Sequence, residues 1–166
     1  MAEQRRLYRD GALADGRSDQ LLVGVSILVD GGRVTWIRPA DDEGPLGDAA
    51  SVEIVDASGS TIIPGMVDAH SHVTLPGGAH WIDRLGDPDE AQRRYGEANG
   101  RLLTQAGVRW ARDVGSAPST GSSGEAGPAL ALEIRDRWRS RPAAPYVRAA
   151  GTWIMYTDTM PGRCKR

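Results

Sequence analysis

The chain has 166 residues, of which 40% are hydrophobic and 25% charged, and its formal net charge is −2. This balance is typical of a soluble globular protein, and it excludes the strong basic charge of nucleic-acid and anionic-membrane binders. A single cysteine, Cys164, excludes an intramolecular disulfide, and residues 1–10 lack the apolar core of a signal peptide. We therefore expect a cytoplasmic protein.

Residues 1–64 are predicted to form a small β-sandwich-like domain of about four or five short strands. Residues 20–29 are rich in β-branched and aliphatic side chains, and Asp30-Gly31-Gly32 is a strong hairpin signal before a returning strand. Shorter strands are predicted at 51–56 and 61–63, and a less strongly indicated one at 6–12. We interpret this region as a scaffold without chemistry of its own.

Residues 65–154 follow the order strand, helix, strand, helix, strand, which is typical of βα units with a parallel sheet. The strands are predicted at 66–73, 108–114 and 146–150. Residues 155–166 have neither helical nor strand periodicity and are predicted to be an irregular C-terminal tail.

Local signals place the two predicted helices. Asp87 is predicted to be the N-cap of the first helix, with Pro88 as its first residue and Gly107 just past its end. Its apolar stripe is predicted to consist of Ala91, Tyr95, Ala98, Leu102 and Ala106. The second helix is predicted to begin at Pro128, after a Gly-Ser loop at 115–127, and to end before Pro142.

The strand at 66–73 carries a His-x-His motif, His70 and His72. Residues two apart on a strand share a face, so Asp68 and both histidines are predicted to point the same way. The imidazoles would then lie about 6–7 Å apart along the strand and lean onto one metal ion. Asp68 is a candidate for orienting an imidazole N–H. The alternative is a chance pair without metal, although the chain has only three histidines.

Two further residues are candidates by position. Asp113 lies at the carboxyl end of the second predicted strand, where loop chemistry occurs in such folds, and either contacts the site or pairs with Arg112. His80, in the first loop, either faces a substrate or lies on the surface. The Gly-Ser loop has neither G-x-G-x-x-G nor G-x-S-x-G spacing, so no nucleotide cofactor site or nucleophilic serine is predicted.

Two stretches, 63–72 and 106–115, resemble the amidohydrolase superfamily of metal-dependent hydrolases. The first, Ile-Pro-Gly-Met-Val-Asp-Ala-His-Ser-His, is similar to that family's first barrel strand and its lead-in. The second, Ala-Gly-Val-Arg-Trp-Ala-Arg-Asp-Val-Gly, is similar to a helix-to-strand junction in the branch of imidazolonepropionases and Xaa-Pro dipeptidase-like enzymes. The resemblance extends over about residues 20–154.

The resemblance implies a fold and a site. Residues 65–154 would be the first three strands and two helices of an incomplete TIM (β/α)8 barrel, since about 31 residues make one unit. His70 and His72 would be metal ligands, with zinc as the expected divalent ion. The family's later ligands, a carboxylated Lys or Glu, two His and an Asp, have no counterpart, because the only lysine is Lys165 and the only other histidine is His80.

The implied activity is hydrolysis of a C–N bond by a metal-activated water, in a non-peptide amide, a cyclic amide or a dipeptide. We expect the chain to be C-terminally truncated and inactive alone, with a second chain completing the barrel or a homo-oligomer as its partner. The alternative is a non-catalytic remnant, or an interaction module that binds another chain through open sheet edges.

Overall fold

The computed structural model describes residues 5–121 and 124–154, and the predicted tail at 155–166 lies outside them. The chain divides into two compact units, Met1–Pro64 and Gly65–Arg166. Their described parts form a small α/β fold, with strands in both units and two α-helices in the second. No helix in these ranges has the length and apolar character needed to cross a membrane.

The first unit is one hydrogen-bonded sheet of five strands. These strands are β1 Arg5–Leu13, β2 Leu22–Asp30, β3 Arg33–Pro39, β4 Val52–Asp56 and β5 Thr61–Ile62. Their order is β3-β2-β1-β4, and β5 also pairs with β1. The two packed sheets of a sandwich are thus replaced by a single mixed sheet, in which β1 pairs antiparallel with β2 and parallel with β4 and β5. The strand for which the sequence signal is weakest, β1, thus lies at the centre of this sheet.

The predicted hairpin at Asp30-Gly31-Gly32 is confirmed. Gly31 and Gly32 have φ values of 56° and 69°, the left-handed region that a two-residue type I′ turn requires and that glycine adopts without strain. Asp30 pairs with Arg33 across the turn, which sets the register of β2 against β3.

The second unit contains a parallel sheet of three strands, a separate two-stranded hairpin and two helices. The five strands of this unit are β6 Met66–Ser71, β7 Val108–Asp113, β8 Pro118–Thr120, β9 Ala126–Ala129 and β10 Tyr146–Ala149. Its helices are α1 Asp89–Gln105 and α2 Leu130–Trp138, preceded by a 3₁₀ turn at Trp81–Arg84. The sheet order is β10-β7-β6, with both pairs parallel, so the predicted strand–helix alternation and parallel pairing are confirmed.

The predicted Gly-Ser loop contains a small antiparallel hairpin, β8 with β9. Pro128 lies in β9, so α2 begins two residues later than predicted, at Leu130. The preceding loop satisfies the first amides of α2, since the Leu130 N–H donates to Ala117 O at 3.0 Å. The Ala131 N–H donates to Ser116 Oγ at 2.9 Å, so a buried residue from 15 positions upstream replaces a local cap.

The predicted Asp87 cap of α1 is wrong. Pro88 occupies the N-cap position and makes no side-chain hydrogen bond there. The Asp87 carboxylate instead accepts a hydrogen bond from the Tyr95 hydroxyl at 2.6 Å and pairs with Arg84 at 2.9 Å. The Asp87 carboxylate is therefore engaged by Tyr95 and Arg84, and it does not cap the helix as local spacing predicts.

The buried face of α1 also differs from the predicted stripe. Its buried residues are Gln92, Gly96 and Gly100, whereas Leu102 is 62% exposed. Glycine leaves room for α2 to approach, and an added Cβ at Gly100 would lie 2.5 Å from Cζ2 of Trp138. The helices therefore meet through backbone proximity, which a search for large apolar side chains does not detect.

Between helices and sheet lies one cluster of buried apolar side chains. It contains Val73, Ala111, Ala131, Ile134, Trp138 and Val147. Ala111 and Val147 are register partners on β7 and β10, so this is the face of the sheet that the helices cover. The opposite face carries the alternate residues of the same strands.

Candidate metal centre

His70 and His72 lie at the carboxyl end of β6, and their ring centroids are 5.6 Å apart in an edge-to-face arrangement. The strict alternation predicted for this strand does not continue through the motif. Asp68 pairs with Ala111 and Ser71 with Asp113. The chain therefore advances three residues on β6 where it advances two on β7, which is the register shift of a β-bulge. Such an irregularity can re-aim side chains along a strand.

The contacts of His72 fix its orientation. Its Nδ1 lies 2.8 Å from Gly115 O, and because a carbonyl only accepts, Nδ1 carries the proton in this bond. A proton on Nδ1 leaves Nε2 as the ring nitrogen that could bind a metal. Trp81 stacks on the imidazole with 5.6 Å between centroids and a 14° interplanar angle, and Trp153 lies 5.6 Å away at 57°.

Asp113 fixes the loops that follow β6 and β7, next to His72. The buried carboxylate accepts hydrogen bonds from the Val73 N–H at 2.8 Å and the Gly115 N–H at 3.0 Å. Burial raises the pKa of Asp113 to about 6, against the lowering effect of these two amides and of His72. Asp113 thus holds Gly115, whose carbonyl holds His72.

The predicted alternative that Asp113 pairs with Arg112 is wrong. Neighbouring residues on a strand face opposite sides, and in the structure Asp113 is buried while Arg112 is exposed.

The other two candidates lie elsewhere. The Asp68 carboxylate accepts a hydrogen bond from the backbone N–H of His70 at 3.1 Å, so its observed contact is with the strand rather than with an imidazole. His80 is 86% exposed and its Nδ1 lies 3.4 Å from the Asp83 carboxylate, a surface pair. The role of Asp68 in orienting an imidazole and that of His80 toward substrate remain predictions.

An open pocket of about 470 Å³ adjoins the two histidines, between the loop after β6 and helix α1. Its walls include Leu75, Trp81, Asn99 and Leu102. Asn99 holds the loop by donating to Val73 O at 3.0 Å and Leu75 O at 2.7 Å. The sequence does not identify Trp81, Asn99 or the Gly115 carbonyl, because each acts through a partner distant in the chain.

The predicted metal site has two histidines, His70 and His72, among the described residues. Within 5–121 and 124–154, no group of three or more His, Cys, Asp or Glu side chains is placed to hold one ion. A catalytic zinc takes three protein ligands and a water. Metal binding by His70 and His72 therefore remains a prediction.

Comparisons with known proteins identify relatives of part of the chain. No protein-family model matches it. Allantoinase of Escherichia coli strain K12 is 47% identical over 57 residues, which are 34% of this chain and 11% of that protein. The chain thus spans about a tenth of the length of the curated relatives that it matches.

Solved structures match over most of the chain. A Xaa-Pro dipeptidase with bound methionine superposes with a TM-score of 0.71 and 23% identity, over 90% of this chain and 34% of that one. Molinate hydrolase gives a TM-score of 0.66 and 20% identity, over 93% and 31%. An amidohydrolase gives 0.67 and 22%, over 96% and 37%.

These similarities confirm the resemblance to the amidohydrolase superfamily. At this identity the structural likeness establishes a shared fold, and the chain spans about a third of the length of the structures that it matches. Two of these structures are named as a hydrolase and an amidohydrolase. The activity, substrates and partners of the whole protein are therefore matters for proposal.

Proposed function

We propose that this chain supplies the first part of a metal-dependent hydrolase site that cleaves a C–N bond with water. In this proposal the second unit is the first three strands and two helices of a (β/α)8 barrel. The sequential parallel order β6, β7, β10 supports it, as does the likeness to amidohydrolase structures. The observation that carries it is the pair of imidazoles at the carboxyl end of β6.

His70 and His72 would hold a divalent metal, with zinc as the expected ion. A bound metal of this kind lowers the pKa of its water and polarises a carbonyl. The chain's own residues orient the ligands: Gly115 O keeps the proton of His72 on Nδ1, and Asp113 fixes Gly115. Trp81 stacks on one face of the His72 ring and would help to hold it in place.

The proposed substrates are small molecules with a non-peptide amide, a cyclic amide or a peptide bond. The names of the matched proteins support this range, since they include allantoinase, molinate hydrolase and a Xaa-Pro dipeptidase. The remaining metal ligands and the proton-transferring carboxylate would come from further βα units. We therefore expect the 166-residue chain to bind metal weakly and to turn over no substrate without them.

Zinc titration of the metal-free chain tests the site. The wild type should bind one zinc weakly, and His70→Asn or His72→Asn should each reduce the affinity at least tenfold, because one imidazole remains. His80→Asn is the matched control, since that imidazole is 86% exposed and pairs with Asp83. Equal zinc affinity in all four proteins would contradict the proposal, as would a loss confined to His80→Asn.

A second candidate function is that of a non-catalytic interaction module. In the described part of the chain, β6 and β10 each have an unpaired edge. Large apolar side chains are exposed on this unit, including Met66, Val67 and Trp110 at 42%, 68% and 51%. Open edges and apolar patches favour association with another chain. Sedimentation of the metal-free chain over a concentration series tests self-association through these edges: a monomer at every concentration contradicts a module that binds a second copy.

A further inference from the structure

The loop between β6 and α1 is held at both ends by side chains from one face of the helix. Gln92 and Asn99 are seven residues apart on α1, which places them about two turns apart on the same face. The Asn99 amide donates to Leu75 O at 2.7 Å, and the buried Gln92 amide donates to Leu85 O at 3.2 Å. Leu75 and Leu85 are themselves buried, so each end of the loop has both an apolar contact and a hydrogen bond.

Tyr95 lies between these two anchors on α1 and adds a third. Its hydroxyl donates to the Asp87 carboxylate at 2.6 Å and accepts from the Arg84 guanidinium at 2.9 Å. Arg84 also pairs with Asp87 at 2.9 Å, and we call these three side chains the clasp. Since Arg84 is the last residue of the 3₁₀ turn Trp81–Arg84, the clasp fixes this turn to the helix.

Trp81, at the start of the same turn, carries the loop to the histidine site. Residues 77–84 are exposed except for Trp81, which is half-buried and stacks on the His72 ring at an interplanar angle of 14°. The other contact that orients His72 is the hydrogen bond from its Nδ1 to Gly115 O. A change of side-chain rotamer would break that single bond, and the stacked indole occupies space through which the imidazole would turn.

We propose that Trp81 is a positioning residue for His72, and that the clasp, Gln92 and Asn99 act through it. The indole keeps the imidazole in its hydrogen bond with Gly115, so the proton stays on Nδ1 and Nε2 keeps one direction. A ligand that is ordered before the metal arrives binds it more tightly, because less conformational freedom is lost on binding. This inference rests on the proposed hydrolase function and adds that the metal affinity of its site is set from helix α1 through the loop.

The tautomer of His72 in the metal-free 166-residue chain tests the orientation. Long-range ¹H–¹⁵N NMR spectra at pH 8, where an ordinary imidazole is neutral, distinguish a proton on Nδ1 from one on Nε2. Trp81→Ala should lower the ratio of the Nδ1–H to the Nε2–H form about fivefold, the effect of losing one aromatic contact. Trp81→Phe keeps a ring on the imidazole and should restore most of the wild-type ratio.

Tyr95→Phe tests the clasp, because it removes the hydroxyl that bonds both Arg84 and Asp87 and keeps the aromatic ring. The ion pair of the clasp remains, so we expect a smaller fall in the tautomer ratio, about threefold. Trp110→Ala and Tyr146→Phe are the matched controls, since these two rings contact each other on the sheet of the same unit. Both should leave the ratio unchanged.

Zinc titration measures the consequence for the site. Trp81→Ala should weaken zinc binding about fivefold and Tyr95→Phe about threefold, whereas Trp81→Phe should bind as the wild type does. Trp81→Leu keeps apolar bulk on the turn without an aromatic face, so it should match Trp81→Ala. It provides both measurements if the alanine variant does not fold.

An unchanged tautomer ratio in Trp81→Ala and Trp81→Leu would overturn the proposal, as would a loss that Trp81→Phe does not restore. Contacts that only stabilise the fold would lower the free energy of unfolding in urea and leave both the ratio and the zinc affinity of the folded chain unchanged. That result would also overturn the proposal.

The tautomer measurement requires no metal, so it is independent of the zinc titration of the histidine variants. Histidine-dependent zinc binding that is as tight in Trp81→Ala as in the wild type would overturn the role of Trp81 and leave the proposed hydrolase site standing. Zinc binding that ignores both histidines would contradict the hydrolase site, and the tautomer ratio would still decide whether Trp81 positions His72.

Discussion

Asp113 shows how one buried side chain organises a site that it does not enter. Its two carboxylate oxygens each accept a backbone N–H, one from Val73 in the loop after β6 and one from Gly115 after β7. Asp113 therefore links the segments that follow β6 and β7, next to His72. Because the carboxylate is fully buried, its ionisation costs free energy, and its pKa rises to about 6.

This raised pKa predicts a pH dependence of stability. Between pH 4 and 6 the folded chain keeps a proton on Asp113 that the unfolded chain has released, so the free energy of unfolding falls as pH rises through this window. The contribution of Asp113 should decrease by roughly 2–3 kcal/mol from pH 4 to pH 7. Urea unfolding of metal-free wild type and Asp113→Asn over this range measures it.

The difference between these two proteins isolates Asp113, because carboxylates with lowered pKa values, such as Glu43, are present in both and cancel. Asp83→Asn, at an exposed carboxylate, is the control and should follow the wild type at every pH. A wild-type curve parallel to that of Asp113→Asn would show that Asp113 does not titrate in this window.

At the scale of elements, the close approach of α1 and α2 is the clearest departure from sequence-based expectation. The predicted stripe of α1 counts apolar side chains, but the contact uses Gly96 and Gly100, which have none. Ile134 and Trp138 of α2 fill the space beside them. Charged pairs join the same two helices at their margin, Arg93 with Glu133 at 3.1 Å and Arg137 with Glu97 at 3.3 Å.

Gly100→Ala should lower the free energy of unfolding even though alanine is the better helix former. The gain in helix propensity is about 1 kcal/mol, and forcing a methyl group against the Trp138 ring costs about 1–3 kcal/mol. We expect a net loss of about 1 kcal/mol, measured by urea unfolding at pH 7.

Gly96→Ala is the matched control, since its Cβ would meet Cδ1 of Ile134 at 2.8 Å, the end of a side chain that can rotate. It should cost less than Gly100→Ala. A Gly100→Ala protein more stable than the wild type would show that the helices separate to accept the methyl group.

Much of this architecture could be predicted, and the limits have physical causes. The hairpin at Gly31-Gly32 and the strand–helix alternation follow from local turn chemistry and periodicity. The start of α2 could not be located, because its cap, the Ser116 hydroxyl, lies 15 residues upstream of the Ala131 N–H that donates to it. The histidine motif is local, but the hydrogen bond that orients His72 joins residues 43 apart.

At the scale of the whole molecule, the second unit has a sheet that ends in two edges within the described residues. In a closed barrel each parallel strand has neighbours on both sides and no edge remains. Here β6 combines an open edge with exposed Met66 and Val67. Any polypeptide that supplies the next strand would cover both features at once, whether it is a companion chain or a second copy.

Val67→Lys should therefore reduce association of the chain. A lysine on an edge strand opposes further strand pairing by charge and hydration. Sedimentation velocity over a concentration series should show a lower average mass than for the wild type. Val23→Lys is the matched control, because Val23 is 76% exposed on β2, which already has a strand on each side. Equal masses for Val67→Lys and the wild type would exclude this edge as the contact.

The hydrogen bond between His72 and Gly115 has a thermodynamic consequence for the whole chain. It exists only when β6 and β7 are paired, so the unfolded chain has no oriented imidazole, and an ion that requires this geometry binds the folded state preferentially. By linkage, a hundredfold excess of ion over its dissociation constant adds about 2.7 kcal/mol to the free energy of unfolding. The melting temperature of the chain would then rise with the free concentration of that metal ion.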